Sequence, residues 1–249
     1  MVGVTGLPSG EPLRARSPIA DILGGYVGAF AVCAALVRRG REGVGSVVDV
    51  SMLEAANTAL GWVVSERFAT GEPAQRHGND NAASSPAGAF RTGDGILTIA
   101  ANTQTQFESL CWVVGRADLL DDPRFATREE RKRHRAALTT ELEAALAARS
   151  AAAWEEQLAA VSVPAGRVVS VAEALAQPQI RERGLVHEVD LGLPERSSIR
   201  VLGSALRVEG EALGPAGSPP RRGQHTDEVL GELGYSPLTR SALKEAGVV

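Results

Sequence analysis

The sequence predicts an α/β fold, on three observations. An uncharged run, Ile22 to Val37, has the length and flanks of a helix; short apolar pieces bounded by turn formers read as strands; and capping signals mark further helices along the chain. Asp21 stands just before the run and Arg38-Arg39-Gly40 closes it, which reads as a helix with Asp21 as N-cap and a glycine stop. The run is apolar all round, so it should be buried. Gly24, Gly25 and Gly28 each weaken it by roughly 1 kcal/mol against alanine, and close approach of a backbone or a ligand is the usual compensation.

The remaining elements follow in order. SVVDV, Ser46 to Val50, is a short strand candidate, and Ser51 with Glu54 forms a capping-box pattern for a helix running toward Thr70-Gly71. Gly71 to Gly88 is polar, small and rich in turn formers, hence a loop or linker. Ile96 to Ala100 reads as a strand after the Gly93-Asp94-Gly95 turn, and Thr103 with Gln106 caps a helix ending near Gly115. Thr127 with Glu130 opens one long helix through Ser150, whose Leu138, Leu142 and Leu146 recur every four residues. A helix around Trp154 comes next and Pro164-Ala165-Gly166 closes that unit; Ser170 with Glu173 caps a short helix before Gln177-Pro178. These signals agree on a helix-rich small domain over 85–184. LVHEVDL and SIRVLGSALRVEG then read as strand pieces, and a last helix begins at Thr226 with Asp227 and Glu228 in its first turn.

Bulk properties exclude several classes of function. The 249 residues suffice for a real core, and 44% hydrophobic with 22% charged residues is an ordinary globular balance. A net charge of −4 gives no general attraction to nucleic acid or anionic membranes, and 4% aromatics leave little for base stacking. The uncharged run is shorter than the about 20 residues of a spanning helix, and no secretory leader is read at the start, so no membrane association is expected. Cys33 and Cys111 are lone thiols, which suits a reduced cytoplasmic setting. REERKRHR, residues 128–135, pairs Glu129 and Glu130 with Arg133 and His134 at helical spacing and reads as a solvated face. His187 and His225 have no second ligand type at metal spacing, so no metal site is assigned. Trp62, Trp112 and Trp154 are expected to pack in a core or an interface.

The segment SPIADILGGYVGAFAVCAALVRRGREGVGSVVDVSMLEA resembles the nucleophile block of the class III CoA-transferases, the family of formyl-CoA transferase and carnitine CoA-transferase. The resemblance continues in order through GEPAQRHGNDNAASSPAGAFRTGDGILTIAANTQTQFESLCWVVG, DDPRFATREERKRHR, VPAGRVVSVAEALAQPQIRERGLV and PPRRGQHTDEVLGELGYS. It implies a Rossmann-like large domain with an inserted helix-rich α+β small domain, in an interlocked dimer. Under it, 1–84 and 185–249 belong to the large domain and 85–184 is the insertion. Members usually carry a preceding half of roughly 150 residues, about one domain's worth, that supplies most contacts to CoA; this chain resembles only the C-terminal portion. The implied arrangement is therefore a homodimer, or a hetero-oligomer with a chain supplying the CoA-binding half.

The implied chemistry moves CoA between an acyl-CoA and a small carboxylic acid through a covalent intermediate on Asp21, with CoA thioester as substrate and no bound prosthetic group. The start of a helix favours the ionised carboxylate by roughly 0.3–1 kcal/mol. In relatives a glycine-containing loop closes over the reacting carbonyl, which places Gly78, Asn79 and Gly88 as substrate-binding candidates; the polyglycine stretch of formyl-CoA transferase is missing here. Two alternatives remain: a non-catalytic paralogue or structural subunit of a CoA-transferase, and an acyl-CoA racemase of the same family. The racemase branch needs a glutamate where this chain has Ala100-Ala101-Asn102-Thr103-Gln104, with no carboxylate.

Overall fold

A computed structural model of the chain describes residues 1–193 and 195–249. It is mixed helix and sheet, and it divides into two compact units, 1–168 and 169–249.

The first unit opens with α1 (Ile19–Glu42), a 24-residue helix. Its N-cap is Pro18, not Asp21; the aspartate lies in the first turn, two residues into the helix. It runs through Gly40 and stops at Gly43, whose positive φ of 71° is the left-handed conformation a helix end favours in glycine. The expected burial is not found: Gly24 alone is buried, against Met52, and Tyr26 and Phe30 are 69% and 78% exposed. Gly25 and Gly28 face open space, so close packing accounts for one of the three glycines. At 24 residues, α1 is also long and apolar enough to cross a membrane, unlike the shorter run expected.

SVVDV forms no strand, and Val47 is fully exposed. Ser51 does cap α2 (Met52–Thr58), its hydroxyl accepting from the Glu54 amide at 3.2 Å. The helix expected to reach Thr70 is interrupted at Ala59-Leu60, and α3 (Gly61–Thr70) completes it.

The core lies between a three-stranded antiparallel sheet and the helices after it. β1 (Ala87–Arg91) and β2 (Ile96–Ala100) form a hairpin through Gly93-Asp94-Gly95. Pro164-Ala165-Gly166, expected only to close a unit, instead supplies β3 (Ala165–Arg167) along the other edge of β2. Leu97 and Ile99 alternate inward as strand period requires. They meet α4 (Gln104–Val113), with its complete Thr103/Gln106 capping box, and the fully buried Leu138, Leu142 and Leu146. These leucines lie on α6 (Arg135–Leu146), separated from α5 (Arg128–Arg133) by a break at His134 where one continuous helix was expected. In α7 (Ala151–Ala160), buried Trp154 donates from its indole to the Leu146 carbonyl at 2.8 Å, whereas Trp62 and Trp112 are largely exposed. Asp94 accepts from the Ala151 amide at 2.8 Å, tying the hairpin to the start of α7.

The REERKRHR face is only partly solvated. Glu130 pairs with Arg133 and lies 3.6 Å from His134, and Glu129 pairs with Lys132, but Arg131 is turned inward and 1% exposed. Its guanidinium lies over the Phe107 ring.

The second unit begins with α8 (Val171–Leu175), capped by Ser170 and Glu173, and α9 (Pro178–Glu182). β4 (Val186–Leu193) and β5 (Arg196–Leu202) pair antiparallel, and β6 (Arg207–Val208) pairs with β7 (Glu211–Ala212), which lies beyond the expected strand pieces. The His187 ring lies so close to Gly203 and Gly214 that a Cβ at either would collide with it. Helix α10 (Thr226–Glu232) starts where expected, and α11 (Pro237–Glu245) follows it.

Candidate active site

Asp21 lines a cleft of about 220 Å³ together with Thr5, Leu13, Arg14, Ser17 and Pro18. Its side chain is exposed, and no described residue hydrogen-bonds or ion-pairs with its carboxylate. In the first turn of α1 it stands where free helix amides and the helix dipole favour a negative charge. The geometry is that of an uncommitted carboxylate open to a ligand. Arg14 shares the cleft, and no described carboxylate pairs with it. Sequence reasoning passed over this residue; the signal was the pair Arg14 and Arg16 in LRARSPIAD, just ahead of the aspartate.

The wall of that cleft is a loop closed by Leu13 donating to the Thr5 carbonyl at 2.8 Å. Arg76 donates to the carbonyls of Leu7 and Gly10, at 3.3 and 2.8 Å, and the Gly78 amide donates to Gly6 at 3.0 Å. Gly78 has φ +60°, and a Cβ there would come within 3.3 Å of the Leu7 side chain, so the turn and the contact both favour glycine. Gly78 is thus seated on the loop that walls the Asp21 cleft.

Asn79 and Gly88 occupy different ground. Both line a second cleft, of about 460 Å³, with Thr98, Ala100, Pro164 and Gly166 along the sheet. Gly88 belongs to β1 rather than to the loop. A Cβ on Gly88 would lie 3.1 Å from the Asn79 carbonyl and 2.7 Å from Asp80 Oδ1, so the loop rests directly on this glycine. The Asn79 amide and side chain have no hydrogen-bond partner among the described residues. Asp21 therefore lies in one cleft and Asn79 with Gly88 in another, while Gly78 lines neither and contacts the loop whose ends, Thr5 and Leu13, line the first.

Cys111 is buried, and burial pushes its thiol up to about 12, with nearby Arg131 opposing the shift. It is inert packing rather than a nucleophile. Among the described residues, no three His, Cys, Asp or Glu side chains converge on a point that could hold a metal.

Comparison with known proteins agrees with the sequence resemblance. Residues 1–226 match CoA-transferase family III. The chain is 31% identical to an acyl-CoA transferase of Fusarium pseudograminearum over 254 residues, 100% of this chain and 55% of that protein. It is 30% identical to the succinate–glutarate CoA-transferase of Agrobacterium fabrum, covering 93% of this chain and 58% of that one. The crystal structure of a CAIB/BAIF family protein from Brucella suis superposes with a TM-score of 0.76 at 29% identity, covering 93% of this chain and 60% of that one. The chain thus spans between 55% and 60% of the length of these relatives. On the extent of the sequence match and the agreement of the fold, the chain belongs to CoA-transferase family III.

Proposed function

We propose that this chain carries the nucleophile of a CoA-transferase and moves CoA from an acyl-CoA to a carboxylic acid through Asp21. An Asp21 oxygen attacks the thioester carbonyl, the C–S bond breaks, and a mixed anhydride forms with release of CoA thiolate. The thiolate attacks the aspartyl carbonyl of the anhydride, freeing the donor acid as its carboxylate and leaving an aspartyl-CoA thioester. The acceptor carboxylate attacks that thioester, expelling the thiolate, which returns to the acceptor's carbonyl and restores Asp21. Charge alternates between carboxylate and thiolate, so no external base is needed. The observation that carries the reading is the exposed, unpartnered carboxylate in the first turn of α1, in a cleft shared with Arg14. Arg14 suits the carboxylate of a substrate acid, which its planar fork can hold bidentately.

Gly78 and Asn79 fit a substrate loop, and Gly88 the strand on which that loop rests. The free Asn79 amide is a donor of the kind that steadies charge on a thioester oxygen. Names of relatives such as the Agrobacterium succinate–glutarate enzyme support small carboxylic acids as substrates. The exposed apolar flank of α1 and α3, with Tyr26, Phe30, Trp62 and Phe68, supports a protein partner rather than a membrane. Gly24 already packs on α2, and α1 lies inside residues 1–226, the region matched to the family. That partner is a second copy in an interlocked dimer or a chain carrying the CoA-binding half, completing a Rossmann-like large domain formed by 1–84 and 185–249 around the insertion 85–184. A reduced cytoplasmic setting goes with it. The racemase alternative gains nothing from the end of β2, where Ala101 is buried and no carboxylate occurs at 100–104.

The test is mass spectrometry of the Asp21 peptide after incubation with several acyl-CoAs, with the chain alone and with a partner chain. A CoA or acyl adduct, absent in Asp21→Ala, is expected. No adduct in the wild type under any of these conditions overturns the reading.

A further inference from the structure

We propose that Arg135, with Arg131 behind it, is a positioning residue that sets the substrate loop by gripping its backbone carbonyls. The inference rests on the reading of Asp21 and the Asn79 loop given above. Arg135 donates from Nη2 to the Asn81 carbonyl at 2.6 Å and to Ser84 at 2.7 Å, and from Nη1 to Ala87 at 3.3 Å. Arg131 donates from Nε to the Ser85 carbonyl at 2.9 Å, and its Nη1 reaches the Phe125 carbonyl and Gln104. Four carbonyls within seven residues are thus held by two guanidiniums four residues apart, on either side of the break between α5 and α6.

What marks this as more than packing is the choice of partner. Neither arginine pairs with a carboxylate among the described residues, and Arg131 is almost wholly buried. Burying a guanidinium without a counter-ion costs several kcal/mol before its hydrogen bonds return anything, and an apolar side chain fills a core more cheaply. What the cation offers instead is direction. A planar fork binds carbonyls at fixed angles and fixes the path of the chain that carries them. Ser84 and Ser85, the residues gripped most deeply, are themselves buried.

The grip extends toward Asp21 through direct contacts. Asn81, held by Arg135, donates its own amide to Ala87 at 3.0 Å, closing the turn. Three residues earlier Gly78 is pinned to Gly6, in the loop whose ends, Thr5 and Leu13, line the Asp21 cleft. Asn79 lies between these fixed points with its amide free. Without Arg135 the far side of Asn79 is held by the Asn81 bond to Ala87 and by Arg131 at Ser85, with no side chain on the Asn81 and Ser84 carbonyls.

The experiment uses the full chain, alone and with any chain that supplies the CoA-binding half, with succinyl-CoA as probe. Wild type, Arg135→Ala and Arg135→Lys are compared by hydrogen exchange over 79–88 and by the rate of Asp21 adduct formation against succinyl-CoA concentration. Expected are faster exchange in Arg135→Ala, a maximal rate lower by about tenfold or more, half-saturation within about twofold of wild type, and at most partial recovery of exchange and rate in Arg135→Lys. Unchanged exchange shows that no clamp exists, and faster exchange with an unchanged adduct rate shows that the clamp positions nothing; either overturns the inference while Asp21 stands. If the wild type forms no adduct, Asp21 falls and the positioning role falls with it, a case recognised because the exchange difference persists. Should Arg135→Ala fail to fold, Arg135→Lys carries the comparison, because it keeps the charge but loses the fork.

Discussion

Gly88→Ala tests how tightly the substrate loop is seated on the sheet. The added methyl would lie 2.7 Å from Asp80 Oδ1, 3.1 Å from the Asn79 carbonyl and 3.4 Å from Asp80 Cα. The Asp80 carboxylate can swing aside; the Asn79 carbonyl is backbone and must move with its loop. Overpacking of this kind costs about 1–3 kcal/mol. Removing a glycine from the unfolded chain returns about 0.4–1 kcal/mol, so a net loss of about 1–2 kcal/mol is expected. For a unit of 168 residues that lowers the melting temperature by roughly 2–8 °C. The assay is thermal unfolding followed by tryptophan fluorescence, in which Trp154, buried in the same core, reports. Gly95→Ala is the matched control: nothing lies within 4 Å of its added methyl, and it should be neutral or slightly stabilising. Equal melting temperatures for the two variants would refute the argument that the loop rests on Gly88.

Three further outcomes follow from the packing and the charges. Leu142→Ala, in the middle of the buried leucine row, should cost about 2–5 kcal/mol, read from the urea midpoint; a loss under about 1 kcal/mol would mean the site collapses around the gap. In native protein near pH 8, iodoacetamide should modify exposed Cys33 and spare Cys111, whose thiol stays protonated up to about 12; equal labelling would contradict the burial. Hydrogen bonds from Arg116, Arg124, Lys132 and Lys244 hold Asp118, Asp122, Glu129 and Asp227 respectively below the usual carboxylate range. Their folded-state pKa values lie under the unfolded ones, so the contribution is present above about pH 4 and is lost as pH falls through the folded values. The urea midpoint should fall below that pH, less steeply in high salt because all four groups are at the surface; a midpoint flat down to pH 2 would show that these pairs add nothing.

Local chemistry was legible in the sequence wherever a few neighbouring residues decide the outcome. Ser51, Thr103, Thr127 and Ser170 each cap the helix that follows, because an oxygen and the amide three residues on meet without help from the rest of the chain. Ser236-Pro237 carried the same kind of signal for α11. The Asp21 block was readable for a different reason: its residue pattern is specific enough to mark the family before any packing is known.

Tertiary structure decided what depends on distant partners. That SVVDV finds no strand to pair with, that Ala165–Arg167 does, and that Arg131 turns inward to the Ser85 carbonyl are outcomes of contacts between segments far apart in sequence. Apolar patterning promised a buried α1, but burial needs something on the other side, and within this chain little more than Gly24 meets a neighbour. Sequence by itself thus determined the family, the serine and threonine caps and the leucine core, but not the cap of α1. Only the fold decided which side chains share a cleft, because register and burial are set by what packs across the gap and not by the residues on one side of it.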